Sequence, residues 1–200
     1  RVSLLQQGVT MEQRLTESPW EGFFSWIDLT RKVFEQKPDL VVWPEGSLAF
    51  NPTEDRSFSS IRSSQRKMLV RRLAEIGAFD MLPLPPEVGP LISTNERLVD
   101  AAAALSVQSM LDGFAQQGNF DLLIGGGTIE DNPNPGPGER EYIAFNSLYV
   151  FDSEGGIEGR FDKMVPLPFG EYIPLADTFP ILKTIVQGPG DFRAGTEPTF

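Results

Sequence analysis

Three charged side chains invite a chemical reading in a 200-residue chain that contains neither His nor Cys. Glu45 ends the run "LVVWPE", Lys163 ends "GRFDK", and Glu171 sits inside "VPLPFGEYIPL". Without His a Ser-His-Asp triad and His-ligated zinc are excluded. Without Cys these residues hold no disulfide, thiolate metal site or thiol nucleophile. Acid–base work must fall to Glu, Asp, Lys or Tyr. A carboxylate at the C-terminal end of a buried strand stands where α/β sheets hold ligands, and can act as a general base. An ammonium fixed by carboxylates such as Glu45 and Glu171 can stabilise a developing oxyanion. Taken singly, each has a plainer explanation, because most Glu and Lys side chains are simply solvated. The plain explanation does not account for three prolines and Phe169 stiffening the loop that carries Glu171.

Strands and helices must bring these residues together. "VSLLQ" (Val2 to Gln6) has strand length, with a turn signal at Gly8. Helical spacing from Trp20 to Gln36 follows the helix start at Ser18-Pro19. "PDLVVW" is then a strand whose last apolar residue is Trp43, with Pro44 blocking further pairing. The opening therefore reads strand–helix–strand. Ser57 to Gly77 reads as an exposed, Arg-rich helix, and Asn95 to Gly118 as another, with Gly118 as its stop. Between them the prolines of Met81 to Pro90 dictate a loop. "FDLLIGGGTI" is a buried strand leaving into glycines. These glycines lack the Lys-Ser/Thr of a phosphate loop and the spacing of a dinucleotide fingerprint. Gly125 to Gly127 instead suit a close backbone approach or a bulge. Tyr142 to Phe151 and Ile157 to Lys163 form the arms of a hairpin. A proline-punctuated loop follows, then a short helical stretch near Ile181. Alternating strands and helices, then paired strands, predict an α/β layered fold.

Composition narrows the function classes. A net charge of -11 and a pI near 4.5 argue against nucleic acid as partner, since phosphate binding needs clustered Lys and Arg. The same acidity disfavours purely electrostatic attachment to anionic lipid. No window reaches the roughly 20 consecutive apolar residues that span a bilayer.

"PDLVVWPEG", "DLLIGGG" and "FNSLYVFDSEGGIEGRFDKMVPLPFGEYIPL", in that order, resemble the nitrilase-like carbon–nitrogen hydrolase superfamily. The "PFGEYIPL" version is similar to the catalytic domain of its apolipoprotein N-acyltransferase branch. The resemblance covers Val2 to about Asn51 and Phe120 to the C-terminus, and implies a four-layer α-β-β-α sandwich, incomplete at its C-terminus. Residues 1–200 would be a single partial domain with an insertion at about 58–119. A Glu–Lys–Cys triad is implied, with Glu45 as general base, Lys163 as oxyanion-stabilising ammonium and Glu171 as supporting acid. Phe169 would wall an acyl pocket.

The implied reaction moves an acyl group from a phospholipid, through a Cys thioester, to the N-terminal amine of a diacylglyceryl-cysteine apolipoprotein. No cofactor or metal is implied. The thiol and flanking membrane helices are expected outside these residues, at the extracytoplasmic (periplasmic) face of a bacterial inner membrane. Two other readings remain open: a soluble nitrilase-like amidase acting on a small amide, and a catalytically dead module of the same fold.

Overall fold

A computed structural model describes residues 1–8, 19–48, 63–75, 77–78, 87, 91, 94–102, 107–136, 140–176, 178–179, 181–182 and 192–197. The chain is a mixed α/β structure. Its strands are β1 (Val2–Leu4), β2 (Leu40–Leu48), β3 (Asp121–Asp131), β4 (Tyr142–Phe151) and β5 (Ile157–Asp162). They form one sheet in the order β1-β2-β3-β4-β5, parallel from β1 to β3 and antiparallel from β3 to β5. The helices are α1 (Pro19–Arg31), α2 (Ser63–Glu75), α3 (Glu96–Ala102) and α4 (Val107–Gly118).

Side-chain alternation explains where the core lies. Val41 and Trp43 on β2 are in register with Leu122 and Ile124 on β3, which face Phe151 and Tyr149 on β4. All six are buried. Period-two alternation puts them on one sheet face, and there they meet Phe23, Trp26 and Ile27 of α1 and Met110 and Phe114 of α4. Trp43 anchors this contact. Its ring stacks on Trp26 with centroids 5.8 Å apart and meets Phe23 edge-on at 6.3 Å. Its indole N–H donates to Thr30 Oγ1 at 2.8 Å, and that hydroxyl donates to the Trp26 carbonyl, so a polar atom of the core is satisfied.

Several boundaries differ from the sequence expectation. Helix α1 stops at Arg31, and a 3-10 turn (Phe34–Gln36) carries the chain to Lys37, which is left-handed at φ 47°. Strand β2 does not end at Trp43 but runs on to Leu48. Trp43 pairs with Ile124 and Leu48 with Gly126, so residues 44–47 bulge opposite Gly125 alone. Pro44 is tolerated because its missing N–H falls in that bulge, where no ladder partner is required. Strand β3 continues through its glycines by pairing with β4. The hairpin arms match their expected ranges to one residue, β5 ending at Asp162. Within Asn95 to Gly118 helix is described at Glu96–Ala102 and Val107–Gly118, and residues 103–106 lie outside the described residues. The proline loop from Met81 to Pro90 is outside them apart from Glu87, and so is the stretch after Leu182 up to residue 191. Helices from the expected insertion, 58–119, share the one core through Val70, Leu73, Val99 and Met110.

Two stability predictions follow from this packing. A Cβ added at Gly125 would stand 2.5 Å from the Pro44 carbonyl oxygen and 2.6 Å from Glu45 Cα. Gly125→Ala should therefore cost about 1–3 kcal/mol in urea unfolding, by overpacking against backbone that cannot swing away. On α4, Asp112 Oδ1 is buried and has no hydrogen-bond partner among the described residues. Burial, and then the neighbouring Asp152 charge, push its carboxyl above the ordinary 3.8. A raised carboxyl destabilises the fold once pH exceeds the unfolded value. Asp112→Asn should hence raise the melting temperature at pH 7, by the equivalent of up to about 1 kcal/mol, and leave it unchanged near pH 3.

Candidate active site

The bulge is what carries Glu45 out of the core. Trp43 points into the helix layer and is fully buried, whereas the Glu45 side chain is 61% exposed. Lys163 follows the last residue of β5, and its Nζ lies 3.0 Å from Glu45 Oε1 and 3.0 Å from Glu171 Oε1. The three residues singled out in the sequence are thus brought together, with Lys163 as the shared cation. The two carboxylates are unlike. Glu171 is 12% exposed at its side chain, and its Oε2 accepts the Leu167 backbone N–H at 2.8 Å. Glu45 faces solvent.

Asn146 on β4 joins them and escaped the sequence reading. Its Nδ2 donates to Glu45 Oε1 and to Glu171 Oε1, each at 2.6 Å. Nothing in the local run "AFNSL" marks it except a polar residue among apolar ones in a strand. Its partners lie 101 and 25 residues away in the sequence.

The loop after Lys163 is shaped by a tight turn. Phe169 N–H donates to the Tyr172 carbonyl, and Gly170 and Glu171 N–H both donate to the Leu167 carbonyl. Phe169 adopts φ 61° and Leu175 φ 63°, left-handed values that are unusual for bulky residues and require support from their surroundings. Phe169 is 64% exposed. With Val165, Leu167 and Leu175 it forms an exposed apolar rim beside the charged site. A strap at residues 192–195 secures the base: Phe192 N–H donates to the Glu171 carbonyl and Gly195 N–H to the Lys163 carbonyl.

The electrostatics follow from these contacts. Hydrogen bonds to Glu171 and then Glu45 hold the Lys163 ammonium above its ordinary 10.5. Burial pushes the Glu171 carboxyl up, but the Leu167 N–H, Lys163 and Asn146 outweigh it and hold the group below 4.5. The arrangement is a fixed cation between two anions, one of them open to solvent. It can orient a reactant beside Glu45 and supply positive charge to an oxyanion. The depressed Glu171 stabilises the fold above its unfolded pKa, and this is lost as pH falls through its lowered value. The raised Lys163 contributes fully below about 10.5, and this is lost as pH climbs past it. Glu171→Gln should flatten the acid limb of a stability-versus-pH curve measured by thermal melts. It should also lower the pH at which Lys163 becomes reactive to amine reagents.

No protein-family model matches the chain. Among curated proteins it is similar to the apolipoprotein N-acyltransferase of Geobacter metallireducens, 28% identical over 161 residues, which is 80% of this chain and 28% of that protein. It is 24% identical over 194 residues to that of Sinorhizobium medicae, covering 96% of this chain and 26% of that protein. To that of Rhizobium rhizogenes it is 38% identical over 117 residues, or 58% of this chain and 20% of that protein. The chain spans about a quarter of the length of the first two relatives. Among solved structures a mutant amidase of the nitrilase superfamily from Nesterenkonia AN1 aligns with a TM-score of 0.42 at 16% identity, over 98% of this chain and 49% of that one. A carbon–nitrogen hydrolase from Helicobacter pylori G27 aligns at 0.39 and 16%, over 82% and 39%. By sequence, this chain is similar to one stretch of the apolipoprotein N-acyltransferases.

Proposed function

We propose that this chain supplies the acid–lysine half of an acyl-transfer site, working on a phospholipid donor and the N-terminal amine of a lipoprotein. The observation that carries the reading is Lys163 Nζ held 3.0 Å from both Glu45 and Glu171. The names of the sequence relatives and the apolar rim at Phe169 support the choice of substrate class. In this reading Glu45, the solvent-facing carboxylate, takes the proton of a thiol that residues other than these 200 must contribute. The thiolate attacks the donor ester, Lys163 stabilises the tetrahedral oxyanion, and the lysophospholipid alkoxide leaves with a proton. The thioester is then attacked by the acceptor amine through a second oxyanion, which returns the thiol. Glu171 holds the ammonium in place, and Phe169 lies against the acyl chain.

The same reading treats 1–200 as one partial layered domain with 58–119 inserted. It places the whole protein at the bacterial inner membrane, with this part on the periplasmic face. No helix among the described residues is long and apolar enough to cross a membrane, so membrane attachment is assigned to other segments of the protein.

The test uses the full-length protein with phospholipid vesicles and a diacylglyceryl-cysteine peptide. Acyl transfer should be detected by mass spectrometry. Lys163→Ala should lower kcat by about 10²–10³, the usual cost of an oxyanion donor. Glu45→Gln should lower it by about 10²–10⁴, as for a general base. Phe169→Ser should mainly raise KM for the lipid. Release of ammonia from small amides without acyl transfer would replace this reading by an amidase. Loss of neither activity in Lys163→Ala would sink both, and absence of any turnover would leave a binding module.

A further inference from the structure

Behind the candidate site, on the opposite face of the β4–β5 ladder, lies a second polar cluster that the acyl-transfer reading does not use. Asp162 accepts two hydrogen bonds from Arg160, Nε at 2.8 Å and an NH2 nitrogen at 2.6 Å, and a third from Ser147 Oγ at 2.6 Å. Ser147 Oγ lies 2.6 Å from Thr128 Oγ1, which also contacts the Tyr149 hydroxyl. Arg160 further bridges to Glu130 on β3, 2.7 Å away, and sits over the Phe145 ring. Thr128, Ser147 and Tyr149 are buried.

The direction of this chain is set by valence. The Asp162 carboxylate can only accept; burial pushes its pKa up, but Arg160 and Ser147 outweigh this and keep it low. Ser147 must therefore spend its one hydrogen on Asp162. Thr128 must then donate to Ser147, and Tyr149 to Thr128. A one-way run of hydroxyls ending on an anion is mutually polarised, and each bond strengthens the next.

Successive strand residues point to opposite faces. Ser147 pairs with Asp162, while their chain neighbours Asn146 and Lys163 serve the candidate site, joined by the Lys163 N–H donating to the Asn146 carbonyl at 2.8 Å. The two runs "NS" and "DK" thus each give one residue to the site and one to the anchor. A slip of one residue between β4 and β5 would exchange them. Behind them Gly195 closes the strap, for a Cβ there would stand 2.3 Å from the Asp162 carbonyl oxygen.

We propose that Ser147, Asp162 and Arg160 are positioning residues, a rear anchor that locks the β4–β5 register and so holds Lys163 and Asn146 against the two glutamates. The proposal rests on the acid–lysine reading of the site, but its test reads the amine rather than acyl transfer.

The rate at which an amine-selective acylating reagent labels Lys163 is followed against pH in the full-length protein, with the Lys163 peptide quantified by mass spectrometry. The midpoint, not the plateau, reports the carboxylates around the ammonium. In Ser147→Ala and Asp162→Asn the midpoint should fall, so that labelling well below it runs about two- to three-fold faster than in the unaltered protein. Thr128→Val, which breaks the chain one bond further back, should give a smaller change of the same sign, and Ser147→Thr should restore the original value. An unaltered midpoint in whichever of the three disruptive variants still unfolds cooperatively overturns the proposal, because a role in stability alone leaves the midpoint in place. Failure of the acyl-transfer reading would show separately, as activity retained in Lys163→Ala.

Discussion

One ammonium shared by two carboxylates is the constraint on which the rest of this structure depends. Glu45 and Glu171 approach the same amide, Asn146 Nδ2, each at 2.6 Å, and two anions that close repel unless a cation and donors separate them. Lys163 and Asn146 supply both. The cluster needs a bulge in β2, the middle of β4, the end of β5 and the loop beyond it, and Lys163 bonds to Glu45 across 118 residues of sequence. Its asymmetry follows from burial. Glu171 is enclosed and saturated with donors, so it is a support. Glu45 keeps much of its surface in water, and so remains open to a reactant.

The sheet makes this possible by doing two jobs on one ladder. Where β2, β3 and β4 carry Trp43, Ile124 and Tyr149, they bury a face against α1 and α4 and contribute most of the hydrophobic stabilisation. Further along, the same face turns polar at Thr128, Ser147 and Asp162. The break between Trp43 and Leu48 turns an ordinary parallel strand into a platform for Glu45. Gly125 is the condition for it, since only a residue without a side chain lets the bulged backbone come so close.

The loop after Lys163 shows how proline and strain can substitute for regular structure. Its prolines remove alternatives from the unfolded chain, and Phe169 and Leu175 adopt left-handed angles within a hydrogen-bonded turn. The result holds Glu171 inward while Phe169 and its apolar neighbours stay outward.

Much of this was legible in the residue order, for reasons that are local. Apolar runs of strand length located β2 to β5, the hairpin arms came out within a residue, and the absence of His and Cys left acid–base chemistry to Glu, Asp, Lys or Tyr. The stiff proline loop marked Glu171 as more than a surface carboxylate. What only the tertiary structure decided is non-local. That Pro44 sits within a strand, that Glu45 stays exposed, that Asn146 joins two glutamates and that Ser147 and Asp162 anchor the rear face all depend on strand register. Register is set by pairing between segments far apart in the chain, and no window along the sequence contains both partners.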